Sequence, residues 1–488
     1  MTVVSSKSVY TAWRLEDTNG TPKIPDKFIP EMENSLSKNI ENINAESRFN
    51  ILNNVPYVAK GANKIEGSIK TELDPKNAPM WLLMLLGQMT SSDIGSVTDG
   101  TVYRHIIQDQ VCGYKSVTIE NKKGGCELSA DKTNIVVQRT YGVVPNSTKM
   151  SIDSNAIVKL ENTVKGQGMF DVSFLLADEK TEKTTKAITT ATPTTGFLRI
   201  VATGHALVLN DLVLVAGNSV SAYNGYWRII NVVDANTFDV DCTTTGSAGT
   251  GGTVKQISMF YFTSKTIKGV VAGDTVRLTN NLGATEDVLV KYVDTANDVL
   301  GFDLVTSTAM TVALETKVEL VQQTAVITPI DFFSFSNVTL RRGKTIALAQ
   351  TSDPIDFESI SIDFDKKVAE AVQNQKNLAT PTGLDVKIEI NKAYENNTDR
   401  DQQRKTDALA YIIDFSIPKT VSATDTNKAV YSMQLIFPAV VSQTYEITDQ
   451  SGEVIKQKSL GIAKYDFTNS YSVQAKIVND KAGTYYTA

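Results

Sequence analysis

Displaced by 317 residues, the chain falls back on itself. The segment "IENINAES" (40–47) then lies on "FESISIDF" (357–364), which sets Glu41 on Glu358, Ile43 on Ile360 and Glu46 on Asp363. The same offset, with no gap, carries "SIKTEL" onto "DVKIEI" and matches Ile69 to Val386, Lys70 to Lys387, Glu72 to Glu389 and Leu73 to Ile390. Each copy next runs into a segment that reads as helix and then into further strands. These end in "NAIVKLENTVKGQGMFD" (155–171) and "GEVIKQKSLGIAKYD" (452–466). The order strand, loop, strand, helix, strands is written twice, around 35–185 and 335–480. A repeat of this kind governs the architecture, so a duplicated fold is the reading preferred over chance agreement of β-type patterns.

Elsewhere the dominant pattern is short runs rich in Val, Ile, Thr, Phe and Tyr, separated by Gly, Asn, Asp and Pro. "IVVQRTYGVV", "YWRIINVV" and "YSMQLIFPAVV" are examples, and they predict a mainly β chain of antiparallel sandwiches or barrels. Two helices are expected. In "APMWLLMLLG" Pro79 suits a first turn and Gly87 a left-handed cap, and the apolar run from Trp81 to Leu86 requires burial against a sheet. In "NNTDRDQQRKTDALAYII" Thr398 or Asp399 would cap a polar helix with a charged face.

The material between the copies is low in charge and rich in Thr, Gly, Val and Asp. "LNDLVLVAG" with "IINVVDANTFDVD" echoes "AGDTVRLTN" with "VKYVDTANDVLGFDL", setting Asp211 on Asp274 and Asp234 on Asp294. The expected plan is an N-terminal arm (1–34), a first fold (35–190), two small inserted β modules (191–257 and 258–330) and a second fold (331–488). The Thr-rich "TEKTTKAITTATPTTG" and the Gly-rich "TTTGSAGTGGT" read as a connection and a loose hairpin.

Catalytic vocabulary is sparse. The two histidines, His105 and His205, have no neighbourhood that suggests a triad or a metal site. "RRGKT" (341–345) ends like a phosphate-binding loop, but the glycine needed five residues before Gly343 is Val338, so a turn between strands is expected. Alternating carboxylates in "DPIDFESISIDFDKK" lack the Gly and closing Glu of a calcium loop and read as one wet strand face. Cys112, Cys126 and Cys242 are odd in number and unpaired in spacing, which favours free thiols. A net charge of −6 over 488 residues supplies no basic face for nucleic acid. Neither a leader nor an apolar run of about 18 residues is visible, so a soluble, unexported chain is expected. No catalytic, cofactor-binding or metal-binding residue is assigned, and a structural protein is preferred to an enzyme. A glycan-processing enzyme would need two carboxylates about 5 to 10 Å apart in a cleft.

The stretch "YGVVPNSTKMSIDSNAIVKLENTVKGQGMFD" resembles the characteristic segment of the tail tube proteins of long-tailed (siphovirus-type) bacteriophages. "IEGSIKTELDPKNAPMWLLMLLG" is similar to that family's strand and packed helix, and "FESISIDFDKK", "GLDVKIEINKAYEN" and "VIKQKSLGIAKYD" resemble its second half. The resemblance covers all but about residues 190–330 and implies two tandem tube-type β-sandwich or barrel folds, each with a flanking short helix. It implies sheets that join between subunits into rings, stacked into a hollow conduit for genome ejection. With two folds per chain, three chains would make a pseudo-hexameric ring, the alternative being a homohexamer. Other implied partners are the tape measure protein, further tail proteins and passing DNA bound without sequence preference, with no membrane and no cofactor. The implied location is the virion tail, after assembly in the host cytoplasm. The loop 48–64 is the natural arm toward a neighbour, the inserted modules are expected on the outside, and the two closing segments should superpose by about 60° around the ring axis. The competing reading is a modular, adhesin-like surface protein.

Overall fold

The computed structural model describes residues 10–44, 58–94, 102–110, 115–123, 136–170, 172–177, 185–262, 267–279, 285–295, 299–302, 317–321, 331–373, 376–394, 398–405, 407–422, 429–448 and 454–486. The fold is mainly β. It divides into two compact units, one of residues 9–121, 140–169 and 325–488, the other of 1–8, 122–139 and 170–324.

The first of these contains one long antiparallel sheet. Its strands are β1 (Glu31–Asn34), β2 (Val58–Glu72), β3 (Val136–Asp153, from Thr140 onward in this unit), β4 (Lys159–Gly166), β5 (Ser359–Gln373), β6 (Lys376–Ala393), β7 (Val430–Thr448) and β8 (Lys456–Ala463). Pairing runs β1, β2, β4, β3 and then, in the same order, β5, β6, β8, β7. The two sets are joined where β3 pairs with β5, from Asp153 opposite Ser359 to Ser147 opposite Asp365. One strand order therefore occurs twice in a single sheet.

Alternation builds it. Ile65 and Ile69, Leu160 and Val164, Met150 and Ile152, Ile360, Ile362 and Phe364, and Val386, Ile388 and Ile390 are all buried on one face. Over the core of this unit lies helix α1 (Ala78–Leu86), every residue of which is buried. Pro79 sits in its first turn, and Gly87, at φ 95°, closes it with a bond to the Leu83 carbonyl. Lys366, reaching from β5, donates to the Met84 carbonyl near the same end. A second sheet of the same unit runs through Val338–Gly343, Leu409–Thr420, the start of β7, Gln474–Asn479, Tyr103–Asp109 and Gly87–Asp93. β7 serves both sheets, and Tyr103–Asp109, from the first copy, pairs with Gln474–Asn479 of the second.

Several expectations change. The 317-residue offset holds for β2 and β6 but not for the strand before them. Asn34 faces Ile69 as Phe364 faces Val386, whereas residues 40–44 lie further out along the hairpin, with Ile43 opposite Ala59. Alternating patterns match at many registers, and the two hairpin loops differ in length. Residues 10–34 are not an arm, since Tyr10–Leu15 is a strand with Trp13 in the core. The second helix, α3 (Thr398–Lys405), stops well short of "LAYII", which is strand. "RRGKT" leads into a short helix, α2 (Ile346–Thr351), capped by Thr345, instead of a second strand. Of the loop 48–64, residues 48–57 lie outside the described residues, as do Cys112 and Cys126, whereas 58–64 are not loop but the start of β2.

The other unit holds two modules. An eight-stranded sheet spans Lys186–Ala187 to Thr253–Gln256 around a core of Leu198, Ile200, Val213, Val215, Ile229 and Phe238. A closed six-stranded barrel is built from Val172–Ala177, Ser258–Phe262, Thr275–Thr279, Thr285–Asp294, Val299–Phe302 and Lys317–Leu320. The barrel thus takes its first strand from before the sheet module and the rest from after it. The modules are nested, not consecutive. The Thr-rich connection contributes the strand Thr190–Thr194, paired with Phe197–Val201 around a turn at Gly196. The modules share one turn: the Val208 amide donates to Asp211 Oδ2 at 2.8 Å and the Val271 amide to Asp274 Oδ2 at 2.7 Å. Ile229 and Val290 then donate to the Asp211 and Asp274 carbonyls at 2.9 and 2.8 Å.

Candidate assembly surface

Opposite its buried face, the long sheet carries charge of alternating sign. Across five adjacent strands Lys70 stands opposite Glu161, Glu161 opposite Lys149, Lys149 opposite Asp363 and Asp363 opposite Lys387. A neighbouring row reads Glu72, Lys159, Ser151, Ser361, Glu389. Facing pairs of opposite charge favour this register. Lys70 Nζ lies 2.9 Å from Glu33 and 3.7 Å from Glu161, Lys367 Nζ 2.7 Å from Asp385, and Lys458 Nζ 2.8 Å from Glu389. Hydrogen bonds to Glu33, Asp385 and Glu389 raise the pKa values of Lys70, Lys367 and Lys458 respectively. Such exposed pairs add little stability. Their effect is on the surface potential, which along these two rows has no continuous cationic track.

Both ends of the sheet carry apolar side chains in the open. Met32 on β1 is 53% exposed and Ile447 on β7 is 46% exposed. Among the described residues, β7 beyond Val441 pairs with β8 on one side and with no strand on the other. Gln443 falls in a bulge between Ser442 and Thr444, skipped by the β8 ladder, and its carbonyl accepts from Gln403 Nε2 of α3 at 3.1 Å. The corresponding stretch of β3 is the one that pairs with β5.

Helix α3 is tied to this end by a buried carboxylate, Asp399, one of the two residues expected only to cap the helix. Asp399 meets Arg342, Lys392 at 2.9 Å and Gln457 Nε2 at 2.6 Å. Burial pushes its pKa up, but Arg342 and then Lys392 override this and hold it below the ordinary aspartate range. Strand membership of Arg342, Lys392 and Gln457 was the missing signal, because their convergence depends on pairing order.

Both histidines are engaged in hydrogen bonds. His105 is buried, with Nδ1 2.8 Å from Ser91 Oγ and Nε2 3.0 Å from Asn479 Oδ1, and desolvation lowers its pKa. His205 accepts the Leu207 amide at Nδ1 and lies 3.0 Å from the Asp234 carbonyl through Nε2. Among the described residues no cluster of His, Cys, Asp or Glu has the arrangement of a metal site. A groove of about 470 Å³ between Arg104, Asp414, Ser432 and Lys476 holds no histidine or cysteine.

No family model matches the chain, and no curated protein matches it. A solved structure, the phage phi92 endosialidase, aligns over 78% of this chain and 70% of its own at 8% identity and a TM-score of 0.13, a likeness too slight to bear on fold or activity. No helix among the described residues is long and apolar enough to cross a membrane.

Proposed function

We propose that the chain is a virion structural protein, the tail tube subunit of a long-tailed phage, whose long sheet continues from chain to chain into a ring. The supporting observation is the β3–β5 junction, which joins two sheets of one strand order side by side and leaves equivalent strands, β7 and β1, at the outer ends. Repeating that junction between chains satisfies edges that otherwise invite uncontrolled pairing. Eight strands per chain make twenty-four in a trimer. At about 4.8 Å per strand and a tilt of about 40°, the ring is roughly 48 Å across at the backbone, leaving a bore of about 35 Å inside its side chains. The alternating face of Lys70, Glu161, Lys149, Asp363 and Lys387 would line that bore and offer phosphates no adhesive stripe. Rings would stack around the tape measure protein and, after its exit, pass DNA. A homohexamer remains the alternative closure.

Negative-stain microscopy of the purified chain tests this, with rings or short tubes as the expected result. Gln443→Pro should abolish them while preserving the monomer's circular dichroism, because this bulged position lies off the β8 ladder and proline removes an edge donor. Dispersed monomers of the unaltered protein at every salt and concentration would reject the tube reading in favour of a modular surface protein.

A further inference from the structure

The nested modules can be matched strand by strand. Leu212 pairs with Arg228 where Thr275 pairs with Leu289. Past a shared bulge, Asn231 and Asp239 stand where Tyr292 and Gly301 stand. The chain therefore shows how one such module seats another. Asp294 of the barrel bonds Arg228 of the sheet module at 2.7 Å, Tyr292 OH donates to Asp241 at 3.2 Å, and Lys291 Nζ lies 5.9 Å from the Tyr226 ring centre. Leu212, Ile257 and Val299 fill the centre, and Gly301 leaves room for Leu212, since a Cβ there would come within 2.7 Å of it.

Each module thus has two faces, and each uses one of them in this contact. On the unused face of the sheet module, Ile230 replaces Lys291 and Val233, one residue before the Asp234 that the sequence set on Asp294, replaces Asp294, and they are 38% and 48% exposed. Val208 and Leu209, on the turn bonded to Ile229, are 49% and 54% exposed. On the unused face of the barrel, Leu289 replaces Arg228 and is 42% exposed. Both members of the internal ion pair are thus exchanged for aliphatic groups. The neighbouring contact is exchanged too: Leu212 against Gly301 becomes Thr275 against Asp239, a smaller residue facing a larger one, with the Asp239 carboxylate itself buried and held by Arg199 at 2.8 Å. Asp287, which replaces Tyr226, is already held by Arg277 at 2.7 Å.

From this paired exchange we propose that the unused face of the sheet module receives the barrel of a second copy of this chain, Val233 against Leu289, in the arrangement the barrel and sheet module adopt within one chain. The contact is heterologous and links modules head to tail. It requires no ring closure of the long sheets, so its test is separate from that of the tube reading.

Full-length chains carrying Val233→Cys are mixed with differently tagged chains carrying Leu289→Cys and oxidised. Seated thiols share a high effective concentration, so the mixed 233–289 disulfide should form at least about tenfold faster than a 233–348 control made with Leu348→Cys on α2. Parent chains, with their own three cysteines, set the background. A second measurement imports the internal ion pair: Val233→Asp alone should weaken self-association of the modules, and Val233→Asp with Leu289→Arg should restore it. All these positions are at the surface, so folding is not at stake. Equal rates for the two cysteine pairs, or no rescue by the double variant, would overturn the proposal.

Discussion

Asp74 lies just before α1, its carboxylate accepting the amides of Lys76 and Asn77 at 2.8 Å and Asn77 Nδ2 at 3.1 Å. Burial outweighs these bonds and pushes its pKa up to about 6. A raised carboxyl pKa means that the folded protein binds more protons than the unfolded chain between about pH 4 and 6. Stability should therefore fall as pH rises through that window, by about 3 kcal/mol at most, and level off above it. Urea unfolding of Asp74→Asn should lack that slope. Lys366 is the mirror case: burial lowers its pKa to about 8, so stability should climb as pH rises from about 8 toward the free lysine value. Lys366→Met should flatten that rise. At Asp399, truncation to Ala leaves Arg342 and Lys392 without their shared anion in a buried corner. The expected loss is about 3–5 kcal/mol, read by denaturant midpoint.

Helix α1 illustrates what an element shows in its own sequence. Its proline start, apolar length and glycine stop were all legible, because each is a local requirement of the backbone. Gly87→Ala should cost about 1 kcal/mol or more, since an alanine at φ 95° is strained and the cap to Leu83 is weakened; thermal unfolding measures it. The strand Leu409–Thr420 was read as the tail of a helix because the Ala and Leu of "DALAYII" favour helix locally. Its alternation of Ala410 and Ile412 inward becomes evident only against its partners β7 and Val338–Gly343. Thr190–Thr194 failed for a related reason. It buries one side chain, Ala191, too few for a periodic signal to stand above its threonines.

Across the whole molecule, the repeated strand order was visible in "SIKTEL" and "DVKIEI", whereas nesting was not. Strand order in a closed barrel is a property of pairing, and nothing in "VSFLLA" announces that its neighbours lie more than eighty residues onward. The difference has a practical outcome. Removing residues 194–326 would orphan Val172–Ala177, and the expected result is aggregation in size-exclusion chromatography. Removing 172–321 with a short linker takes the entire barrel and should leave a soluble chain with the β3–β5 junction intact.

The sheet module enters at Lys186 and leaves through Val254, and these two residues face each other as antiparallel partners. A segment that starts and stops at one spot behaves as a cartridge. Its barrel serves as the fitting, because every barrel strand lies outside residues 186–256. Recombination between related genomes at those two points could exchange the whole cartridge for another of the same footing.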